Sequence, residues 1–133
     1  MTLVVDASVA AKWVAFEPGS AAAIEVRRHD DHLIAPSFAI AEIGNALWKK
    51  VSRREMNRNE AVSAFRLAVS HYAEFVPFED FGEAALELAI ALRHPIYDCF
   101  YLALAERENA PLATADEAMI AAARKAKIKV RRI

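Results

Sequence analysis

The succession of short apolar runs and longer amphipathic ones along this chain predicts an α/β protein, a three-layer α/β/α domain with a central parallel sheet. Three observations carry that prediction. Runs of a few β-branched or apolar residues alternate with helical patterns, and strand, helix, strand alternation places parallel strands between helices on both faces. The 133 residues suit one compact domain over 1–133, long enough to bury a core without staples. No linker, low-complexity tract or internal repeat interrupts the pattern, and three glycines are too few for a loop-rich or glycine-cradle design.

The elements follow in order. Strands are expected at 3–5, 32–35, 75–76, 111–114 and 129–131. Helices are expected at 7–16, 20–29, 37–54, 59–73, 81–93, 97–108 and 117–126. In the third helix Ile40, Ile43, Leu47 and Val51 line one face, while Glu42, Asn45, Lys49 and Arg53 line another. In the helix after Asp80, apolar Phe81, Ala84, Ala85, Leu88, Ala91 and Leu92 recur at three- and four-residue spacing. Asp80 and Glu83 read as its capping box and Pro95 as its stop. The segment from Pro95 to Ala105 is apolar on nearly every side and reads as a buried helix.

Composition narrows the function classes. A single cysteine, Cys99, excludes an internal disulfide framework, and nothing adjacent lowers its pKa, so it reads as a small buried hydrophobe. The first residues carry no basic, apolar leader pattern, and no apolar run approaches the roughly 20 residues of a membrane span. A cytoplasmic protein without a membrane partner is expected. The net charge of −1 argues against a generic nucleic-acid coat protein. Two basic clusters offset it: Lys49, Lys50, Arg53, Arg54 and Arg58, then Arg124, Lys125, Lys127, Lys129, Arg131 and Arg132. Each can be a solvated face or a set of phosphate contacts.

Four acidic residues stand where chemistry is expected. Asp6 follows the strand LVV, and Asp116 follows LAT; the carboxyl ends of strands in an open parallel sheet face the ligand crevice. Each can equally be a helix N-cap. Asp98 lies in the apolar helix with no lysine or arginine within a turn, so its charge needs a helix N-terminus, a distant base or a metal. Glu42 projects from the polar side of its helix. Together the four would make an all-oxygen site, which suits Mg²⁺ or Mn²⁺ and suits zinc poorly. The histidines show no metal spacing: His29 and His32 flank Asp30 and Asp31, while His71 and His94 stand alone, His94 reading as a helix-terminus residue.

Four segments carry a family resemblance: VVDASVAAKW at 4–13, PSFAIAEIGNALW at 36–48, HPIYDCFYLALAE at 94–106 and APLATAD at 110–116. In this order they closely resemble the PIN-domain signatures of VapC-type toxins. The resemblance implies a carboxylate cluster at Asp6, Glu42, Asp98 and Asp116 that holds Mg²⁺ (Mn²⁺ as a substitute) and cleaves RNA. It also implies 5′-phosphate and 3′-hydroxyl product ends, inhibition by a cognate VapB-like antitoxin, and a homodimer. Ser8 and Thr114 match positions where the family places a hydroxyl near the acidic pocket. Asn45, one turn after Glu42, matches the motif and is expected to hold Glu42. The first helix and Trp48 of the third carry more apolar surface than a small sheet covers, a receptacle for an amphipathic antitoxin tail.

Two alternatives stay open. A PIN-fold binding module could keep the fold without the chemistry. A receiver-type phosphoacceptor also gathers acidic residues at strand ends, but it would show an acidic pair after the first strand, where Ala7 and Ser8 follow Asp6 here.

Overall fold

The computed structural model describes residues 1–29 and 32–133, so Asp30 and Asp31, flanked by two of the histidines, lie outside the described residues. Its elements are β1 (Thr2–Val5), α1 (Ala7–Val14), α2 (Ser20–His29), β2 (His32–Pro36), α3 (Ala39–Ser52), α4 (Arg58–Ser70) and β3 (Glu74–Val76). They continue with a 3₁₀ turn (Phe78–Phe81), α5 (Gly82–Leu92), α6 (Ile96–Glu108), β4 (Leu112–Thr114), α7 (Glu117–Lys125) and β5 (Val130–Arg132). The strands pair in parallel in the order β3-β2-β1-β4-β5. The expected α/β/α fold with a parallel sheet is what the chain adopts.

This order places the site. From β1 the chain steps outward to β2 and then β3, and from β3 it crosses back past β1 to lay down β4 and β5. The direction of winding therefore reverses between β1 and β4, and right-handed crossovers on either side leave a crevice at the carboxyl ends of those two strands. Asp6 stands directly after β1, and its backbone N–H donates to Ala113 O of β4 at 3.0 Å.

β1 is buried from Leu3 to Val5, as a central parallel strand covered on both faces must be. Helix α6 lies across β1, β2 and β4, and its Cys99, Tyr101, Leu102, Ala103, Leu104 and Ala105 are buried, so the apolar segment is the buried helix expected. Cys99 is buried as expected, and burial pushes its thiol pKa up.

One expectation about helix ends fails for a local reason. Asp80 does not cap α5, because it sits inside the 3₁₀ turn with its N–H on Pro77 O, and the residue before α5 is Phe81. Helix α5 closes on left-handed Arg93 (φ 54°), two residues before Pro95, which also takes the N-cap position of α6. A capping box does form at α4, where Asn57 accepts from Glu60 N at 2.8 Å and Glu60 accepts from Asn57 N at 3.0 Å.

The apolar surplus expected on the first helix, 7–16, and at Trp48 narrows to two exposed side chains, Phe16 beyond the end of α1 and Trp48. Ala7, Val9, Ala10, Ala11 and Trp13 are all buried, and Trp13 Nε1 donates to Ala23 O at 2.8 Å, locking α1 to α2. No helix among the described residues is long and apolar enough to cross a membrane.

The layering makes a testable claim about where stability resides. Leu102→Ala, in the middle of α6 and fully buried, should destabilise the protein by about 2–5 kcal/mol through lost burial and a residual cavity. Leu86→Ala, on the half-exposed side of α5, should stay within about 0.5 kcal/mol of the parent. Urea denaturation of both variants measures the contrast.

Candidate active site

Asp6, Glu42, Asp98 and Asp116 line one open cavity of about 620 Å³ at the carboxyl ends of β1 and β4. They come from the β1–α1 junction, α3, α6 and the β4–α7 junction, so only the folded sheet brings them together. Ser8 and Asn45 line the same cavity, as do the basic side chains Lys12, Lys49, Lys50 and Arg53.

Each carboxylate is held differently. Asp6 is in the N-cap position of α1 but makes no side-chain cap bond. Its Oδ2 instead accepts from Ser8 Oγ at 2.7 Å and from Thr114 Oγ1 at 2.8 Å. Both hydroxyls also accept from the β4–α7 junction, Ser8 Oγ from Ala115 N at 3.4 Å and Thr114 Oγ1 from Asp116 N at 3.0 Å. The two hydroxyls thus stitch Asp6 to the backbone that carries Asp116.

Asp116 is a helix cap as well as a cavity residue. Its Oδ1 accepts from Ala118 N at 2.8 Å and Met119 N at 3.3 Å, the orphan donors at the start of α7. Glu42 is held by Tyr101, whose hydroxyl donates to Oε1 at 2.7 Å and accepts from Ala7 N at 3.3 Å. Asn45 lines the cavity, exposed, and makes no hydrogen bond to Glu42; Tyr101 does the holding that was expected of it. Asp98 is paired with His94 through Oδ2 and Nε2 at 2.7 Å, so its near partner is the imidazole four residues earlier, at the α5–α6 junction. His94 therefore does more than end a helix. In Glu42, Asp98 and Asp116 these bonds fall on a single carboxylate oxygen and the second takes none of them, while Asp6 also receives the backbone N–H of Ser8.

Burial grades across the site. Asp6 is buried, Glu42 and Asp98 are half-buried, and Asp116 is exposed. Burial pushes the Asp6 carboxyl pKa above its ordinary value, outweighing the hydroxyl donors, and the Asp98 charge adds to the rise. Glu42 is raised for the same first reason, against the Tyr101 hydrogen bond and with the charges of Asp6 and Asp98. Across the mouth, Glu17 bridges Lys12 (3.2 Å) and Lys50 (3.0 Å), and these cations hold its pKa low although burial alone would raise it.

The second basic cluster lies elsewhere. Lys127, Lys129 and Arg131 line a separate cavity with Met1 and Thr2, at the amino end of β1, while Arg132 pairs with Glu117. Of the two clusters, the first contributes to the carboxylate cavity, through Lys49, Lys50 and Arg53.

The donor set is oxygen-only, and among the described residues no three acidic, imidazole or thiol groups stand close enough to enclose a metal ion. That arrangement fits Mg²⁺, which keeps several waters and is bound through one or two carboxylates plus substrate phosphates, not in an all-protein cage.

A parallel sheet that reverses its winding beside an open pocket of separately tethered carboxylates defines a class of protein, and the sequence matches that class directly. The chain belongs to the PIN-domain family, whose model matches residues 3–125. It is 31% identical over 119 residues to Ribonuclease VapC3 of Pyrobaculum aerophilum, a match covering 87% of this chain and 90% of that protein. The fold is shared with PAE2754 of Pyrobaculum aerophilum (TM-score 0.74, 22% identity, 98% of this chain and 83% of that one). It is shared also with a chain of VapBC2 from Rickettsia felis, solved bound to a DNA fragment from their promoter (TM-score 0.72, 16% identity, 100% and 99% covered). The resemblance read from the four segments holds, and membership of this family removes the receiver-type alternative.

Two outcomes follow from the tethers. Asp116→Asn should leave stability nearly unchanged, since asparagine also caps, whereas Asp116→Ala should cost about 1 kcal/mol by losing the cap; thermal melts of the pair separate cap from charge.

The second concerns pH. A carboxyl with a raised folded-state pKa favours folding fully only below its unfolded value, and the contribution is lost as pH climbs through the folded value. Metal-free protein should therefore lose stability as pH rises from the ordinary carboxylate range through the raised values of Asp6 and Glu42. Asp6→Asn keeps an acceptor for Ser8 and Thr114 while removing the charge. It should melt higher than the parent at neutral pH in EDTA and converge with it in acid. Parallel pH profiles for the two proteins would contradict this.

Proposed function

We propose that this protein is a toxin-type, Mg²⁺-dependent endoribonuclease that hydrolyses RNA phosphodiester bonds and is restrained by a cognate VapB-like antitoxin. The observation that carries the reading is the cavity itself: four carboxylates from four separate elements at its floor, with Lys49, Lys50 and Arg53 along one side. A polyanion and a hard cation are the complementary ligands of such a surface. The 31%-identical relative named a ribonuclease and the fold shared with a VapBC2 chain support the same reading.

In this reading Asp6, Asp98 and Asp116 hold the metal, directly or through water, and Glu42 completes the pocket. Mg²⁺ bound there supplies relief of phosphoryl charge and a water of lowered pKa. The chain's own contribution is positional. Ser8 and Thr114 fix the Asp6 carboxylate, Tyr101 fixes Glu42, His94 fixes Asp98, and the first turn of α7 fixes Asp116. Glu42, Asp98 and Asp116 are each left with an oxygen that these bonds do not use. Lys49, Lys50 and Arg53 grip flanking phosphates without reading bases, and the products carry 5′-phosphate and 3′-hydroxyl ends. Mn²⁺ substitutes as another cation for oxygen ligands.

The partner reading is adjusted by the fold. With Ala7, Val9, Ala10, Ala11 and Trp13 of α1 buried, the apolar side chains left for an antitoxin tail or a second copy are the exposed Leu86 and Ile90 on α5, Tyr97 on α6 and Phe16 beyond the end of α1. A homodimer and an antitoxin complex draw on these patches.

Purified protein should cleave RNA with Mg²⁺ and lose that activity in EDTA. Asp6→Asn, Asp98→Asn and Asp116→Asn should each remove most of it, and Glu42→Gln should reduce it strongly. Ser8→Ala and Thr114→Val should lower activity by about 10- to 100-fold, as loss of an orienting partner does. Parental rates in any of the three aspartate variants would take that residue out of the site, and full activity in EDTA would remove the metal from the reading.

A further inference from the structure

We infer that the C-terminal half of α3 is a binding track for unpaired nucleotides of the substrate strand, with Trp48 as a base-stacking platform at its edge. The inference rests on the endoribonuclease reading and adds to it one residue that favours unpaired over paired nucleotides.

The track is visible in the distribution of side chains along one helix. The cavity follows α3 through Ala41, Glu42, Asn45, Ala46, Lys49, Lys50 and Arg53. At 1.5 Å of rise per residue, Glu42 and Arg53 are about 16 Å apart along the axis, acidic at one end and basic at the other. Lys50 is tied to Glu17, but Lys49 and Arg53 make no ion pair among the described residues, so two cationic side chains line the cavity without being fastened to a carboxylate. Their natural complement is a chain of phosphates leading away from the carboxylates.

Trp48 borders this stripe. At about 100° per residue it projects about 20° beyond Ala41, on the edge of the cavity face nearest α4. Gly44, one turn earlier on that side, faces Phe65 of α4. The ring is 63% exposed, whereas the other tryptophan, Trp13, is 6% exposed and hydrogen-bonded. Phe16, fully exposed, directly precedes Glu17, the residue that ties Lys50 to the mouth. A cationic groove with aromatic faces at its borders is the arrangement that binds single strands, because phosphates follow the charges while bases stack on the rings. A duplex satisfies the charges but keeps its bases stacked inside, so the rings discriminate in favour of unpaired nucleotides. A protein segment is less well matched, since an apolar face laid on Trp48 would bring unpaired Lys49 and Arg53 beside it.

The test measures binding in EDTA, where cleavage is off, using a fluorescein-labelled single-stranded oligoribonucleotide of mixed sequence and the same sequence as a duplex. Trp48→Ala should weaken single-strand binding by about 5- to 100-fold, the range of one stacked base, and leave duplex binding unchanged. Trp48→Phe should recover most of the loss, because a π face remains. Single strands should quench the parent's tryptophan fluorescence, and that signal should vanish in Trp48→Ala while buried Trp13 persists. Lys49→Ala and Arg53→Ala should each reduce the slope of log affinity against log salt by about 0.7. Unaltered melting temperatures for the Trp48 variants confirm that the fold is intact. Equal binding by the parent and Trp48→Ala, or an equal loss on the duplex, would overturn the inference while leaving cleavage by the parent untouched. So would a Trp48→Ala protein that loses a co-expressed protein partner but binds RNA as before. A parent that neither binds RNA in EDTA nor cleaves it with Mg²⁺ would instead bring down the endoribonuclease reading itself.

Discussion

Asp6 is a carboxylate buried at the end of the central strand, with two further carboxylates close enough to act on it electrostatically. Burial and like charge both oppose its ionised form, and an unheld carboxylate there would take up a proton or draw the strand end apart. Much of the local structure answers that constraint. Ser8 turns its hydroxyl back from the first turn of α1, and Thr114 ends β4 with a hydroxyl instead of another apolar group. Both then receive a backbone N–H from the residues leading into α7. The charge is thereby fixed to the two strands between which the winding reverses, and the crevice acquires its floor.

The other three carboxylates are held by independent means, which keeps the cluster from behaving as one fragile network. Tyr101 reaches from α6 to Glu42 on α3 while its oxygen also receives Ala7 N, so a single hydroxyl joins three elements. Burial and the neighbouring charges push the Tyr101 pKa well above its ordinary value, so the group remains a donor wherever the carboxylates are ionised. Asp98 has a cationisable neighbour in His94, and Asp116 has the start of α7. Four different donor types at four positions let each acid be oriented by its own local geometry.

How much of this was legible depends on whether the determinant is local in sequence. Strand runs, the Asp6 and Asp116 strand-end positions and the buried segment around Asp98 are local patterns, and they were read correctly. Tyr101 was missed because a tyrosine within an apolar helix looks like core packing, and it is core: only the tertiary approach of α3 shows where its hydroxyl goes. His94 was readable in principle, since His and Asp four apart can pair on one helical face, but the intervening Pro95 reads as a break. The structure keeps both facts true, with α6 beginning at Ile96 and the imidazole leaning back over its first turn. The apolar excess expected of the first helix shrinks to Phe16 for the converse reason. Sequence counts apolar residues, but only topology shows that α2, α3 and α4 all pack on that helix.

The same distinction governs charge. A net charge of −1 says little about binding a polyanion, because the field at a site depends on where charges lie and on how many are already paired. The two basic clusters look alike in sequence, yet folding sends Lys127, Lys129 and Arg131 to the amino end of β1 and leaves Lys49, Lys50 and Arg53 beside the carboxylates. On the cavity, Glu17 ties up Lys50 and Lys12, and Lys12 also donates to Pro18 O at 2.8 Å, so two of the four lysine and arginine side chains lining it serve to fasten the α1–α2 loop. The charges with no such duty are Lys49, in the last turn of α3, and Arg53, its C-cap one turn on. Helical periodicity thus turns a run of basic residues into a directed surface: it separates them from the buried Ile43 and Leu47 and aligns them with Glu42, so one rigid element carries both an acid of the floor and the cations that lead to it.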